Sequence, residues 1–142
     1  HDFCGGFEVT VDEVISELEK LEGQTGITFS GGDPMFQAEA CALIAKAAKD
    51  LGLDVWCYTG FRFEQLISDE KYLEFLKNID VIVDGRFVLE LRTLNCDFRG
   101  SSNQRIIDVK KSLEKNEVIL VPKYENKRDV MIKIPKPANL YI

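Results

Sequence analysis

Four short segments gather the residue types that hold a small polar molecule: "SGGDP" (Ser30–Pro34), "YTG" (Tyr58–Gly60), "VDGRF" (Val83–Phe87) and "RGSSNQR" (Arg99–Arg105). In the first, Gly31 and Gly32 can take positive φ and let a ligand approach the main chain, whose N–H and C=O groups then read it. Asp33 adds a negative acceptor for an ammonium or hydroxyl group, and Pro34 stiffens the exit. The same five residues also make an ordinary turn in which Asp33 caps the next helix. They do not make a phosphate loop, because the Walker spacing and its lysine are absent and an acid at that corner repels phosphate.

The other segments leave similar pairs of alternatives. Thr59 offers a hydroxyl to a ribose hydroxyl or a carboxylate, or sits in a plain strand-end turn closed by Gly60. Asp84 and Arg86 stand at the end of an otherwise apolar run; an acid there is costly to desolvate alone, so it marks either a ligand site or a paired structural charge. Ser101, Ser102, Asn103 and Gln104 form a dense set of donors and acceptors between two arginines. That set suits a polar ligand or carboxylate, or a loop capped by its own side chains.

No catalytic group and no metal ligand set emerges from spacing. Cys4, Cys41, Cys57 and Cys96 are scattered without a CxxC pair, which gives neither a zinc site nor a dithiol motif and is the pattern of reduced cytosolic thiols. Cys41 on an apolar helical face and Cys57 inside a strand read as small buried hydrophobes. His1, the single histidine, sits at a terminus and is given no role.

The elements that must position these segments follow from periodicity. "TVDEVISELEKLEG" is a helix opened by a capping box of Thr10 and Glu13, striped by Val11, Val14, Ile15, Leu18 and Leu21, and stopped by Gly23. "GITFS" follows as a buried strand. A second helix over Gln37 to Leu51 carries the stripe Ala38, Cys41, Ile44, Ala45 and Ala48. The cycle repeats with the strand "LDVWCYTG", a helical stretch from Phe63 to Asn78 broken near Ser68 and Asp69, and the strand "IDVIVDG". Beyond an irregular stretch, Arg86 to Gly100, lie "SSNQRIIDV", a short helix around Lys110 to Lys115, a strand "EVILV", and a tail whose "DVMIKI" suits an edge strand. Strands alternating with amphipathic helices imply an α/β fold with parallel pairing. In such folds the ligand site lies at the carboxyl ends of the strands, where the four segments fall.

The 142 residues fit one domain, 1–142, with a tail over 122–142, and no linker or repeat divides it. Composition is that of a globular chain, 45% apolar and 30% charged, and no apolar run approaches the roughly 20 residues of a membrane span. A net charge of -6 argues against nucleic acid as partner, since phosphate neutralisation needs a basic surface. A small molecule or another protein remains.

In this order and at these intervals, "TFSGGDPMF", "DVWCYTGF", "IDVIVDGRF" and "FRGSSNQRIIDV" resemble the radical S-adenosylmethionine (SAM) enzymes. Within them they resemble the small activating proteins of anaerobic ribonucleoside-triphosphate reductase, over about Gly26 to Val109. The first motif is shared broadly as a GGE-type motif; the last, with "DGRF", points to the reductase activators. The resemblance implies that Gly31, Gly32 and Asp33 hold the methionyl amino group of SAM, with Asp where many relatives have Glu. It implies that Tyr58 and Thr59 line the ribose or methionyl side and that Asp84 lies on the same rim. Ser101, Ser102 and Asn103 complete the implied cofactor-binding set.

The resemblance further implies an incomplete parallel βα barrel, open to a protein substrate, and two cofactors, SAM and a [4Fe-4S] cluster. The cluster gives one electron to SAM, and the resulting 5'-deoxyadenosyl radical takes a hydrogen from a glycine of the large reductase subunit. Implied partners are that subunit and a small electron-donor protein, in the cytoplasm, with neither nucleic acid nor membrane. The family's CxxxCxxC triad is absent, and the four cysteines cannot be carried over to it. The expectation is therefore that the first strand and cluster loop are left out of this chain, which alone is inactive. Two rivals stand beside this expectation. One is an activator of another glycyl radical enzyme, of the pyruvate formate-lyase type, against which "DGRF" and "RGSSNQR" speak. The other is a non-catalytic module that has lost the cluster and docks on a partner through Arg99, Arg105 and the tail.

Overall fold

A computed structural model describes residues 10–92 and 98–122. Helix α1, Val11–Glu19, starts where expected: Thr10 Oγ1 accepts from the Glu13 N–H at 3.0 Å, and Glu13 Oε1 accepts from the Thr10 N–H at 2.8 Å. Two orphan donors of the first turn are thereby satisfied. Val11, Val14, Ile15 and Leu18 pack half-buried against the core, whereas Leu21 lies past the helix end and is exposed.

The chain then builds β1 (Gly26–Phe29), a 3₁₀ turn (Pro34–Gln37), α2 (Ala38–Asp50), β2 (Asp54–Tyr58), α3 (Phe63–Ile67), a second 3₁₀ turn (Glu70–Tyr72), α4 (Leu73–Leu76) and β3 (Val81–Asp84). The break expected near Ser68 is present. Ser68 bonds back to the Gln65 carbonyl, and Asp69 starts the next turn by accepting from the Lys71 N–H. Strands β1, β2 and β3 pair in parallel and in sequence order. The alanines of α2 let that helix lie close to the sheet, and Phe29 meets Phe75 of α4 edge to face at 5.2 Å. Helix α2 packs on both α1 and α4, so the crossover helices share one face of the sheet. At its far end Lys49 bonds Asp80 at 2.7 Å, and Asp80 accepts the Val55 N–H, tying α2 to the starts of β2 and β3.

Two expectations need correction. "SSNQRIIDV" contains a strand, β4 (Arg105–Asp108), and it runs antiparallel to β3, so the sheet is mixed. An antiparallel neighbour needs no crossover helix. "EVILV" forms no strand of its own: it meets β4 through a single bridge, Ile107 to Leu120, after α5 (Val109–Lys115). "DVMIKI" lies outside the described residues.

Alternation along the strands gives both faces of the sheet apolar content. Phe29, Val55, Cys57, Ile82 and Ile107 join the helix-side core. Val83 and Ile106, paired across β3 and β4, are fully buried but stand apart from that core, on the face shared by Trp56 and Tyr58. No described helix is long and apolar enough to cross a membrane.

Candidate functional site

The carboxyl ends of β1, β2 and β3 converge on an open cleft of about 210 Å³. It is lined by Gly31, Asp33, Tyr58, Thr59, Gly60, Gly85, Arg86, Phe87 and Gln104. Four residues expected from sequence are therefore brought together: Gly31, Asp33, Tyr58 and Thr59. Gly32 lies exposed in the same turn without lining the cleft, and Asp84, Ser101, Ser102 and Asn103 do not line it either.

Asp33 is the hub. Its carboxylate accepts from the Met35 N–H at 3.1 Å, from the Thr59 hydroxyl at 2.8 Å and from the Gly60 N–H at 2.9 Å. The first bond caps the 3₁₀ turn, and the other two tie the tip of β1 to the tip of β2. Cap and cleft wall are thus one residue. The Thr59 hydroxyl lies 3.1 Å from the second oxygen as well, so it is shared between the two, and a ligand donor at Asp33 would compete for that shared position. Thr59 is itself held, since its hydroxyl also accepts the Phe61 N–H at 3.1 Å. Gly31, at φ 89°, supplies the left-handed turn that bares the main chain beside Asp33.

Asp84 has a different job. It is fully buried, and its carboxylate accepts the Phe63 N–H at 2.7 Å and two bonds from Arg105, at 3.0 and 2.5 Å. Arg105 reaches on to Glu64 at 2.7 Å, so β4, β3 and the start of α3 share one ionic triad. Hydrogen bonding to Asp84, then to Glu64, raises the Arg105 pKa further above its ordinary value. Chiefly through the hydrogen bond from Arg105, Glu64 is drawn down from an ordinary 4.5 to about 2.

Because the folded value of Glu64 is the lower one, its contribution to stability is complete above about pH 4.5 and is lost as pH falls toward about 2. The side chain is 55% exposed, so solvent screens the effect. Glu64→Gln is expected to cost less than about 1 kcal/mol at pH 7. The difference from wild type should vanish near pH 2, as read from urea midpoints across that range.

The "RGSSNQR" loop caps itself and braces the cleft wall. Gln104 Oε1 accepts the Gly100 N–H at 2.8 Å while its Nε2 donates to the Gly85 carbonyl at 2.9 Å. Asn103 Nδ2 donates to the Arg86 carbonyl, and the buried Ser101 hydroxyl donates to Asn103 Oδ1 and accepts the Val88 N–H. Ser102 is exposed, held through its N–H to the Leu91 carbonyl. Ser101 and Asn103 therefore act by holding 85–88 in place, with Gly85 at φ 98° making the corner. Gly60, Gly85, Arg86, Phe87 and Gln104 are the cleft residues absent from the expected set. All five lie inside the singled-out segments, so their signal was position in those segments and not residue type.

The described residues do not fit a metal cluster: no group of three or more His, Cys, Asp or Glu side chains converges among them. Cys41 and Cys57 are buried in the helix-side core. Burial first, then the Asp33 charge, pushes the Cys57 thiol well above its ordinary pKa, so it is an inert thiol. Cys4 and Cys96 lie outside the described residues. A larger groove of about 1000 Å³ runs along the outer helical layer, between α1, α2 and α4. It reaches the turn after β1 through Met35 and Phe36, but its lining does not include the Asp33 hub.

Residues 5–107 match the family model of the 4Fe-4S single cluster domain. Among curated proteins, the anaerobic ribonucleoside-triphosphate reductase-activating protein of Enterobacteria phage T4 is 41% identical over 101 residues, covering 68% of this chain and 61% of the relative. The protein of the same name from Salmonella typhi is 34% identical over 98 residues, covering 66% and 62%. That of Pasteurella multocida is 30% identical over 112 residues, covering 73% and 71%. The match thus spans less than two thirds of the length of the phage and Salmonella relatives. No solved structure matches. With its strand-end motifs inside the matched region, the chain belongs to the family of anaerobic ribonucleoside-triphosphate reductase-activating proteins, built on the 4Fe-4S single cluster domain.

Proposed function

We propose that this chain is the SAM-holding part of a radical SAM enzyme that generates the glycyl radical of anaerobic ribonucleoside-triphosphate reductase. The observation that carries the proposal is the charge arrangement of the cleft. Asp33 and Arg86 flank Gly60, whose missing Cβ would lie 3.6 Å from Asp33 Oδ2 and 4.0 Å from the Arg86 Cα. A carboxylate and a cleft-lining arginine beside bare backbone suit a zwitterion: an ammonium at Asp33 and the Gly31–Gly32 main chain, a carboxylate at Arg86. At about 210 Å³ the cleft is smaller than the roughly 300–1,000 Å³ of whole-ligand pockets. It accordingly takes the amino-acid end of SAM, with Tyr58 and Thr59 beside it. Asp84, Ser101 and Asn103 serve as positioning residues, and exposed Ser102 stays on the outer rim.

The chemistry SAM supplies in a radical enzyme is reductive cleavage of a carbon–sulfur bond with hydrogen abstraction from the protein substrate. This chain's residues orient the molecule and wall off water, Phe87 forming the apolar side. The order β1-β2-β3 with crossover helices on one face is the winding of a barrel segment, which supports a partial radical SAM barrel. The large reductase subunit is the proposed partner and a small redox protein the proposed electron donor.

Electron paramagnetic resonance tests the function. The full-length protein from the same source, iron-loaded and reduced, is mixed anaerobically with SAM and the large reductase subunit. A glycyl radical doublet on the reductase is expected. No doublet, or a doublet only with pyruvate formate-lyase as substrate, contradicts the proposal.

A further inference from the structure

The segment between β3 and the polar loop displays an unusual surface. Phe87, Leu89 and Leu91 are 45%, 62% and 43% exposed, three large apolar side chains within five residues. The backbone beneath them is nonetheless fixed. The Leu91 carbonyl accepts the Ser102 N–H at 2.8 Å, the Val88 N–H donates to the Ser101 hydroxyl, Arg92 bridges to Ser101, and Gly100 leaves space for the Phe87 ring. A rigid apolar ledge held out to solvent binds with little ordering cost.

Charge narrows what it binds. In a chain of net charge -6, Arg86 and Arg92 flank the ledge exposed, and neither enters an ion pair among the described residues, where the arginine pairs belong to Arg62 and Arg105. Arg105, by contrast, is committed to Asp84 and Glu64, which leaves it unsuited to dock a partner. The ledge is also continuous with the cleft, because Phe87 and Arg86 belong to both.

We infer that Phe87, Leu89 and Leu91, with Arg92, are the docking ledge for the protein substrate: a polypeptide segment of the large reductase subunit carrying apolar side chains beside a carboxylate. Its apolar groups cover the ledge, its carboxylate meets Arg92, and Glu90 close by disfavours an anionic lipid surface. This inference rests on the proposed function, which supplies the partner.

The test uses the full-length, iron-loaded protein and the purified large subunit. Leu89→Ser, Leu91→Ser and Arg92→Glu change side chains that do not line the cleft. Each is expected to weaken binding to the large subunit at least about tenfold, with SAM binding and melting temperature unchanged. Wild-type affinity in all three variants overturns the ledge. So does loss of binding to vesicles of anionic phospholipid with reductase binding intact, which reassigns it to a membrane surface. Failure of the wild-type protein to bind SAM or to yield the glycyl radical is a separate readout and condemns the proposed function instead.

Discussion

Replacing Arg105 with alanine is expected to lower the unfolding free energy by about 3–5 kcal/mol, a large part of the roughly 5–15 kcal/mol that a domain possesses. The reason is the fate of Asp84. With the guanidinium gone, a carboxylate with no solvent exposure keeps only the Phe63 N–H as donor and cannot recover its hydration. The double variant Arg105→Met/Asp84→Leu removes both charges and should regain part of the loss, because no unpaired charge is then buried, although the Phe63 N–H loses its acceptor. Urea denaturation of the two proteins and wild type measures this. A loss below about 1 kcal/mol in Arg105→Ala, the range of an exposed pair, would show that the triad is not the brace between β3, β4 and α3.

Asp33→Ala should act on stability and on the cleft together. It removes a cap, with a cost of about 0.5–2 kcal/mol, and two bonds to a charged acceptor that join the β1 and β2 tips. Allowing for partial exposure, a net cost of about 2–4 kcal/mol is expected. SAM binding should fall at least about tenfold, the loss of one charge-assisted hydrogen bond. Thr59→Val separates the two effects. It deletes one donor to Asp33 yet leaves the carboxylate, so it should cost stability more than affinity.

The sequence carried the first half of the fold well, for physical reasons. A capping box and a 3.6-residue stripe are local signals that start α1, which ends at Glu19 with Lys20 as its cap, short of the Gly23 stop that the sequence suggests. Strands β1 to β3 were legible because short runs rich in β-branched and aromatic residues, with buried positions alternating in β1 and β2, are bounded by glycine and acidic corners. β4 was not: "RIID" is four residues long, half polar, and its direction is set by pairing with β3 and by no local signal. "EVILV" misled in the opposite sense, since a strand-like composition meets only one bridge partner.

At the site, residue type indicated which segments matter but not how the charges are shared. Asp33 reads in the sequence as either a ligand acceptor or a cap, and in the fold it caps the next turn and also ties the β1 and β2 tips together. Asp84 looked equally suited to ligand or ion pair, and its partner, Arg105, lies 21 residues away, across a turn of the chain that no spacing rule reaches. Gln104 and Gly60 became cleft residues only when the strand tips were brought side by side.

Isothermal titration of SAM into the full-length, iron-loaded protein and its Gly60→Val variant tests the central claim most directly. A side chain at Gly60 meets only ordinary contacts with Asp33 and the Arg86 backbone, so the variant should fold and melt like wild type while filling the cleft beside the Asp33 carboxylate. Saturable binding in wild type, weakened at least about tenfold in the variant, is the predicted result. No binding in wild type, or equal binding in both, would contradict the claim that this cleft grips the amino-acid end of SAM.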